Sequence, residues 1–342
     1  MEKMIYPAYP ERNIPIVFSS NDAFVPIMAT MIQSIIENAS KENNYDIIIL
    51  TQDISMGYER KLKSMVEGIC NFSIRVINVS PYVQGYTLYT ANRKDITVET
   101  YFRLLLPELL PNHNKVLYLD GDMIANADVA ELFNTDISDY LLASSRDADG
   151  IGRCYKAGDT RKDYRLKTLK LKGLDDYFCA GMLLMNLDRF REELPTKKLL
   201  EFAASYPWQW HDQDVLNVLC EGKVKLVHMA WDVLRDVGNN RYMPDMLYKE
   251  FLESEKNPKI IHYGGMRKPW IYLDVERGEY FWKYAGRTPF YQEILSVFNK
   301  KEDDKKNTIQ KTVDMVRNGQ LGAKFILKCI KTWLWKKTHT NI

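Results

Sequence analysis

"KVLYLDGDMIANADVAELF", residues 115–133, is the stretch whose reading decides the fold. Val116 to Leu119 form a continuous apolar run, the signature of a strand buried on both faces. Asp120, Gly121 and Asp122 then put two carboxylates almost at the point where burial ends. Like charges one residue apart repel, so something positive is expected to sit between them.

The pattern repeats outward from that strand. IPIVFSS (14–20), YDIIILT (45–51) and SIRVINV (73–79) are further short apolar runs, and VPIMATMIQSIIENA (25–39) has helical spacing. Strands alternating with helical segments predict a mostly parallel sheet flanked by helices, an α/β fold. DITVETYFRLLLPELLP (95–111) reads as a helix capped by Thr97, with Val98, Tyr101, Phe102 and Leu105 on its packed stripe. That spacing puts Arg103 on the opposite side and makes Pro107 the end of the helix. In the second half, YFCAGMLLMNL (177–187) reads as a buried strand, WHDQDVLNVLC (210–220) as a helix start and KIIHYGG (259–265) as a strand entering a glycine turn. After about residue 286 the composition changes, so a catalytic domain over 12–285 and a separate tail over 286–342 are expected.

The totals exclude several classes. With 342 residues and 46% hydrophobic residues, the chain can bury a full core. Its formal charge of +2 balances 47 basic against 45 acidic residues, so no global field points to nucleic acid. Five scattered cysteines without a CxxC read as reduced thiols. No signal peptide and no membrane span is visible, and a cytoplasmic protein is expected.

Ligands of open α/β sheets bind outside the carboxyl ends of the strands, where Asp120 and Asp122 fall. Two hard oxygen donors there suit Mn²⁺ or Mg²⁺, commonly held by one or two carboxylates plus substrate phosphates. Gly121 leaves room for a ligand to approach the backbone. Alone, the pair reads equally well as an acidic turn, with Asp128 as a helix cap. A second signal comes from IIHYGGMRKPW (260–270). His262 at a strand end could complete the coordination, although a lone strand-end histidine is more often simply hydrogen-bonded. Gly264 and Gly265 could present backbone N–H groups to phosphate, and Lys268 adds a mobile positive charge.

These motifs in this order resemble the retaining glycosyltransferases of family 8. The resemblance spans roughly residues 12–285 and rests on IPIVFSSND, ITVETYFRLLLPELLP, KVLYLDGDMI, YFCAGMLLMNL, HDQDVLN and IIHYGGMRKPW. It implies a GT-A fold, a UDP-sugar donor, a saccharide acceptor and Mn²⁺ bound by Asp120, Asp122 and His262. It also implies donor contacts from Ser19, Asn21, Arg103, Gly121, Ala180, Gly181, Gly264, Gly265 and Lys268. Asp95, Asp147 and Asp212 are expected to meet sugar hydroxyls, and Asp212 and Gln213 to lie beside the reacting carbon. Glutamine is a weak nucleophile, which favours front-side attack by the acceptor with retention.

Three positions depart from the family pattern. Asn21 stands for an aspartate facing uracil, Ala23 for an asparagine near the nucleotide, and Cys179 for an asparagine in the sugar floor. They keep open a non-catalytic or donor-altered nucleotide-sugar-binding relative. A nucleotidyltransferase forming sugar nucleotides is disfavoured, because IVFSSNDAF lacks the expected glycine-rich phosphate loop. In the tail, GAKFILKCIKTWLWKK (322–337) aligns Lys324, Lys328 and Lys331 on one helical face. A basic, tryptophan-bearing helix suits an anionic membrane surface, such as the inner face of the plasma membrane, and a lipid-linked or cell-surface acceptor. The segment 146–173 reads as an acceptor-facing loop rich in Arg and Lys.

Overall fold

The computed structural model describes residues 5–90, 97–235 and 237–300. Asp95 and the segment 322–337 lie outside the described residues. The four early apolar runs form β1 (Asn13–Ser19), β2 (Asn44–Thr51), β3 (Phe72–Asn78) and β4 (Lys115–Leu119). Further along come β5 (Met123–Ala125), β6 (Leu142–Ser145), β7 (Met182–Asn186) and β8 (Val224–Val227). Two short strands, β9 (Val233–Leu234) and β10 (Ile260–His262), complete the set.

Seven strands make one sheet in the order β3-β2-β1-β4-β7-β6-β8. The first four run parallel, β7 runs against β4 and β6, and β8 returns parallel to β6. Side chains alternate across each strand, so each strand feeds two cores. Val17, Ile48, Leu50 and Tyr118 pack on one face. Ile16, Phe18, Ile47, Ile49 and Leu117 pack on the other, against Met28 and Ile32 of the helix Val25–Asn38. This double burial is why the early strands read as unbroken apolar runs.

A second sheet, β5-β10-β9, is joined to the first by three residues, Asp120, Gly121 and Asp122, between β4 and β5. The two carboxylates therefore stand at the corner where the chain leaves one sheet for the other. One compact unit runs through Ile294, with Phe290 and Ile294 buried.

The segment after Thr97 departs from expectation. Val98–Leu105 is a 3₁₀ helix, and the Thr97 side chain does not cap it. Pro107 begins the short helix Leu106–Leu109 instead of ending one, as its fixed φ and missing N–H favour. Arg103 is buried, 3% exposed, rather than facing away from the packed stripe. Residues 146–173 are not an open loop either. They contain the helix Ala148–Tyr155 and two shorter turns, with Arg161 and Arg165 buried.

Candidate active site

Backbone pairing assembles the site. In the β5–β10 ladder His262 stands opposite Met123, and Tyr263 N–H donates to the Asp122 carbonyl at 3.0 Å. That register brings an imidazole 140 residues downstream to the side of Asp122. In the β4–β7 ladder Leu119 pairs Met182, and Asp120 N–H donates to the Gly181 carbonyl at 2.8 Å. The strand entry Cys179–Ala180–Gly181 is thereby laid alongside the two aspartates.

Asp120, Asp122 and His262 each offer one ligand atom, all within 4.8 Å of one another. His262 Nε2 lies 3.3 Å from Asp122 Oδ1, and Lys268 Nζ donates to Asp122 Oδ2 at 2.8 Å. The repulsion expected from the sequence is thus relieved: Arg103 Nη2 donates to Asp120 Oδ1 at 2.8 Å while Lys268 and His262 hold Asp122. Burial would raise the Asp122 pKa, yet Lys268 and His262 keep it far below the usual carboxylate range. His262 is also held from behind. Its Nδ1 donates to Asp232 Oδ1 at 2.8 Å, and Cys179 Sγ lies 3.8 Å from the same nitrogen. Burial alone would lower the His262 pKa, but Asp232 and Asp122 raise it well above the ordinary value.

The residues present suit a divalent cation. The donor set is two hard oxygens and one imidazole nitrogen, appropriate to Mn²⁺ or Mg²⁺. Two glycines keep the space around it clear. A Cβ on Gly181 would stand 2.6 Å from His262 Cε1 and 2.9 Å from Asp120 Oδ2, and one on Gly264 would stand 3.2 Å from His262 Nε2.

Arg103 is the hub of the other wall. It stacks 4.2 Å from the Tyr118 ring centroid, donates to the Ala180 carbonyl, and its Nε lies 3.0 Å from Asp212 Oδ2. Thr100 donates its hydroxyl to Asp212 as well. Burial raises the Asp212 pKa to about 6, with Arg103 and Thr100 opposing that rise. Gln213, in the first turn of the helix His211–Leu219, is tied at both ends: its Oε1 accepts from Ala180 N–H at 3.0 Å, and its Nε2 donates to Asp147 Oδ2 at 3.1 Å. Asp147 in turn caps the helix Ala148–Tyr155 by accepting from Gly150 N–H at 2.8 Å.

Of the expected site residues, the structure thus brings together Arg103, Asp120, Asp122, Asp147, Ala180, Gly181, Asp212, Gln213, His262, Gly264 and Lys268. Ser19 ends β1, and Asn21 caps the next turn by accepting from Phe24 N–H at 3.1 Å. Two glycine readings change. A Cβ on Gly121 would meet Met28 and Phe24, so its smallness serves packing against a helix rather than access for a ligand. Gly265 N–H donates to the Arg235 carbonyl and is not free for phosphate. Cys179 is a small buried residue. Asp232 and Thr100 were missed. A metal-ligating histidine usually has a carboxylate behind it, but nothing in MAWDVL (229–234) marks Asp232 as that partner.

A mostly parallel sheet with helices on both faces and a cluster of acids at its corner defines the GT-A class of glycosyltransferases. The chain belongs to glycosyl transferase family 8, whose family model matches residues 15–274. It is similar to a Haemophilus influenzae protein that carries a glycosyltransferase name, with 31% identity over 76% of this chain and 73% of that protein. It is 23% identical to General stress protein A of Bacillus subtilis, over 75% of this chain and 86% of that one. Among solved structures, the galactosyltransferase LgtC in complex with donor and acceptor sugar analogues superposes with a TM-score of 0.66 at 27% identity, covering 81% of this chain and 96% of that chain. The bifunctional glycosyltransferase WbbM superposes with a TM-score of 0.76 at 27% identity, covering 86% of this chain and 53% of that chain.

Proposed function

We propose that this protein transfers a hexose, galactose or glucose, from a UDP-sugar to a saccharide acceptor with retention of anomeric configuration. The observation that carries the reading is the meeting of Asp120, Asp122 and His262 beside Lys268, facing a wall of Arg103, Asp212 and Gln213. LgtC, bound to donor and acceptor sugar analogues, supports it by its likeness.

Asp120, Asp122 and His262 would hold Mn²⁺ or Mg²⁺, which when bound supplies Lewis-acid stabilisation of a departing diphosphate. Lys268 adds a point charge for the same oxygens. Arg103 holds Asp120 and Asp212 in place through its ion pairs with both, and Asp212 orients the hydroxyls of the donor sugar. Gln213 is neutral, and both ends of its amide are already bonded. It therefore serves as a polar wall near the anomeric carbon rather than as a nucleophile. The acceptor hydroxyl attacks from the face the phosphate leaves: its oxygen bonds to the anomeric carbon, the carbon–phosphate-oxygen bond breaks, and its proton passes to a phosphate oxygen of UDP. A panel of UDP-sugars scored for Mn²⁺-dependent release of UDP tests this, and silence across the panel would sink it. The Asn21 side chain, occupied as a cap, favours altered nucleotide contacts as the second reading.

The acceptor on this reading is lipid-linked or part of a cell-surface glycan, reached from the cytoplasmic face of the membrane. No described helix is long and apolar enough to cross a membrane. The basic-aromatic stretch 322–337 would dock on anionic lipid. Deleting residues 320–342 should abolish co-sedimentation with anionic vesicles while UDP release persists, and unchanged co-sedimentation would remove the docking role.

A further inference from the structure

Four arginines are buried among the described residues: Arg103, Arg161, Arg165 and Arg235. Three have carboxylate partners. Arg103 meets Asp120 and Asp212, Arg165 meets Asp147, and Arg235 meets Glu255 and Glu276. Arg161 makes no ion pair among the described residues, although only 8% of it is exposed. Its guanidinium sits 3.7 Å from the ring centroid of Trp210. Guanidinium keeps its charge when buried, so a site that holds it unpaired lacks an anion.

The location says which anion. Trp210 directly precedes the helix His211–Leu219, which carries Asp212 and Gln213. Arg161 lies four residues before Arg165, whose Nη2 is 3.6 Å from Asp147 Oδ2, the oxygen that also accepts from Gln213. Arg165 has two further buried nitrogens, Nε and Nη1, without a partner. Burial lowers the Arg161 pKa, Arg165 and Arg153 add to the lowering, and Asp147 and Asp149 oppose it. The segment 146–173 carries nine Lys or Arg residues against four Asp. On the reading above, the donor diphosphate would meet a different cation, Lys268, which pairs with Asp122 at the aspartate corner.

We propose that Arg161 recognises a negatively charged substituent, phosphate or carboxylate, on the acceptor saccharide. The inference rests on the reading above, in which Asp147 and Gln213 face sugar. Stacking on Trp210 holds the guanidinium fork in place, so an anion can be bound bidentately with little further ordering.

The test titrates glucose, glucose 6-phosphate and glucuronate into the wild-type protein with Mn²⁺ and UDP present. At least one charged sugar should bind roughly tenfold to a hundredfold more tightly than glucose, and which one does so tells phosphate from carboxylate. Arg161→Gln should remove the preference, and Arg161→Lys should keep part of it. Equal affinities in the wild type, a comparison that no variant's folding can spoil, would overturn the proposal. So would a preference that survives Arg161→Gln, or a charge preference that follows the donor, UDP-glucuronate over UDP-glucose. UDP release by the wild type without acceptor is measured in parallel. If release occurs but no charge preference appears, only this inference falls. If release is absent, the transferase reading fails and the acceptor role falls with it.

Discussion

The two ends of the large sheet treat a buried histidine in opposite ways. At the carboxyl ends, His262 lies between Asp122 and Asp232, and those carboxylates draw its pKa well up against the effect of burial. At the other end His113, two residues ahead of β4, is 4% exposed with neither ring nitrogen bonded. Burial lowers its pKa, Asp46 opposes this, and Arg75 and Arg191 add to the lowering. Desolvation is common to both residues; the neighbours differ. One end of the sheet is packed so that an imidazole stays neutral. At the other end Asp120, Asp122, Asp212 and Asp232 gather with Arg103, Lys268 and His262 in little solvent. Such a concentration of charge costs stability unless every member is paired, and that is why it points to chemistry.

The comparison breaks most severely at Asp122. Asp122→Ala removes a proposed metal ligand and leaves Lys268 and His262 side by side without their shared anion. UDP release from a UDP-sugar with Mn²⁺ should fall at least roughly a hundredfold. Release near the wild-type rate would remove the metal reading. Asp232 should come next. Among the described residues its carboxylate bonds the His262 ring through Oδ1, and Oδ2 is buried without a hydrogen-bond partner. Asp232→Ala should weaken Mn²⁺ binding, read by titration of the free-ion electron paramagnetic resonance signal, by roughly tenfold to a hundredfold. Asp232→Asn, which keeps an acceptor for Nδ1–H, should recover part of that loss. Equal affinity in wild type and Asp232→Ala would mean that packing alone holds the ring.

The sequence made the charged end legible only in part. β1 to β4 could be read because strands buried on both faces leave unbroken apolar runs, and Asp120 and Asp122 because they stand where such a run stops. His262 could be read as a strand end, but its meeting with Asp122 depends on the β5–β10 register, which no local pattern encodes. Arg103 was misplaced because α-helical spacing was applied to a 3₁₀ segment. With three residues per turn, the packed line becomes Val98, Tyr101 and Leu104, and Arg103 turns inward under Tyr118, Asp120 and Asp212. Arg161 and Arg165 looked like solvated loop residues. Periodicity reports which face of an element is apolar; it cannot report that a tryptophan or tyrosine ring from elsewhere will cover a guanidinium. Gly121 and Gly265 show the same limit, since a glycine's reason lies in the neighbour it makes room for.

The smallest expected effect belongs to the neutral end, and its sign is opposite to that of His262. His113 in the folded protein has a pKa below the 6.5 it has when exposed. Between those two values an unfolded chain binds a proton that the folded one refuses, so the folded state loses stability as pH drops. The contribution is complete above 6.5 and is lost as pH falls toward the folded value. His262, with its raised pKa, contributes stability at low pH that disappears as pH rises through its own folded value. The two slopes are opposite in sign and lie on opposite sides of about pH 6.5, where other titrating groups add their own, so the wild-type profile alone does not assign either. His113→Gln removes one. Its melting temperature, followed from pH 8 to pH 5, should decline less than that of the wild type, with the difference opening only below about pH 6.5. Parallel declines would mean that His113 takes up its proton without penalty, through a partner that its surroundings do not provide at neutral pH.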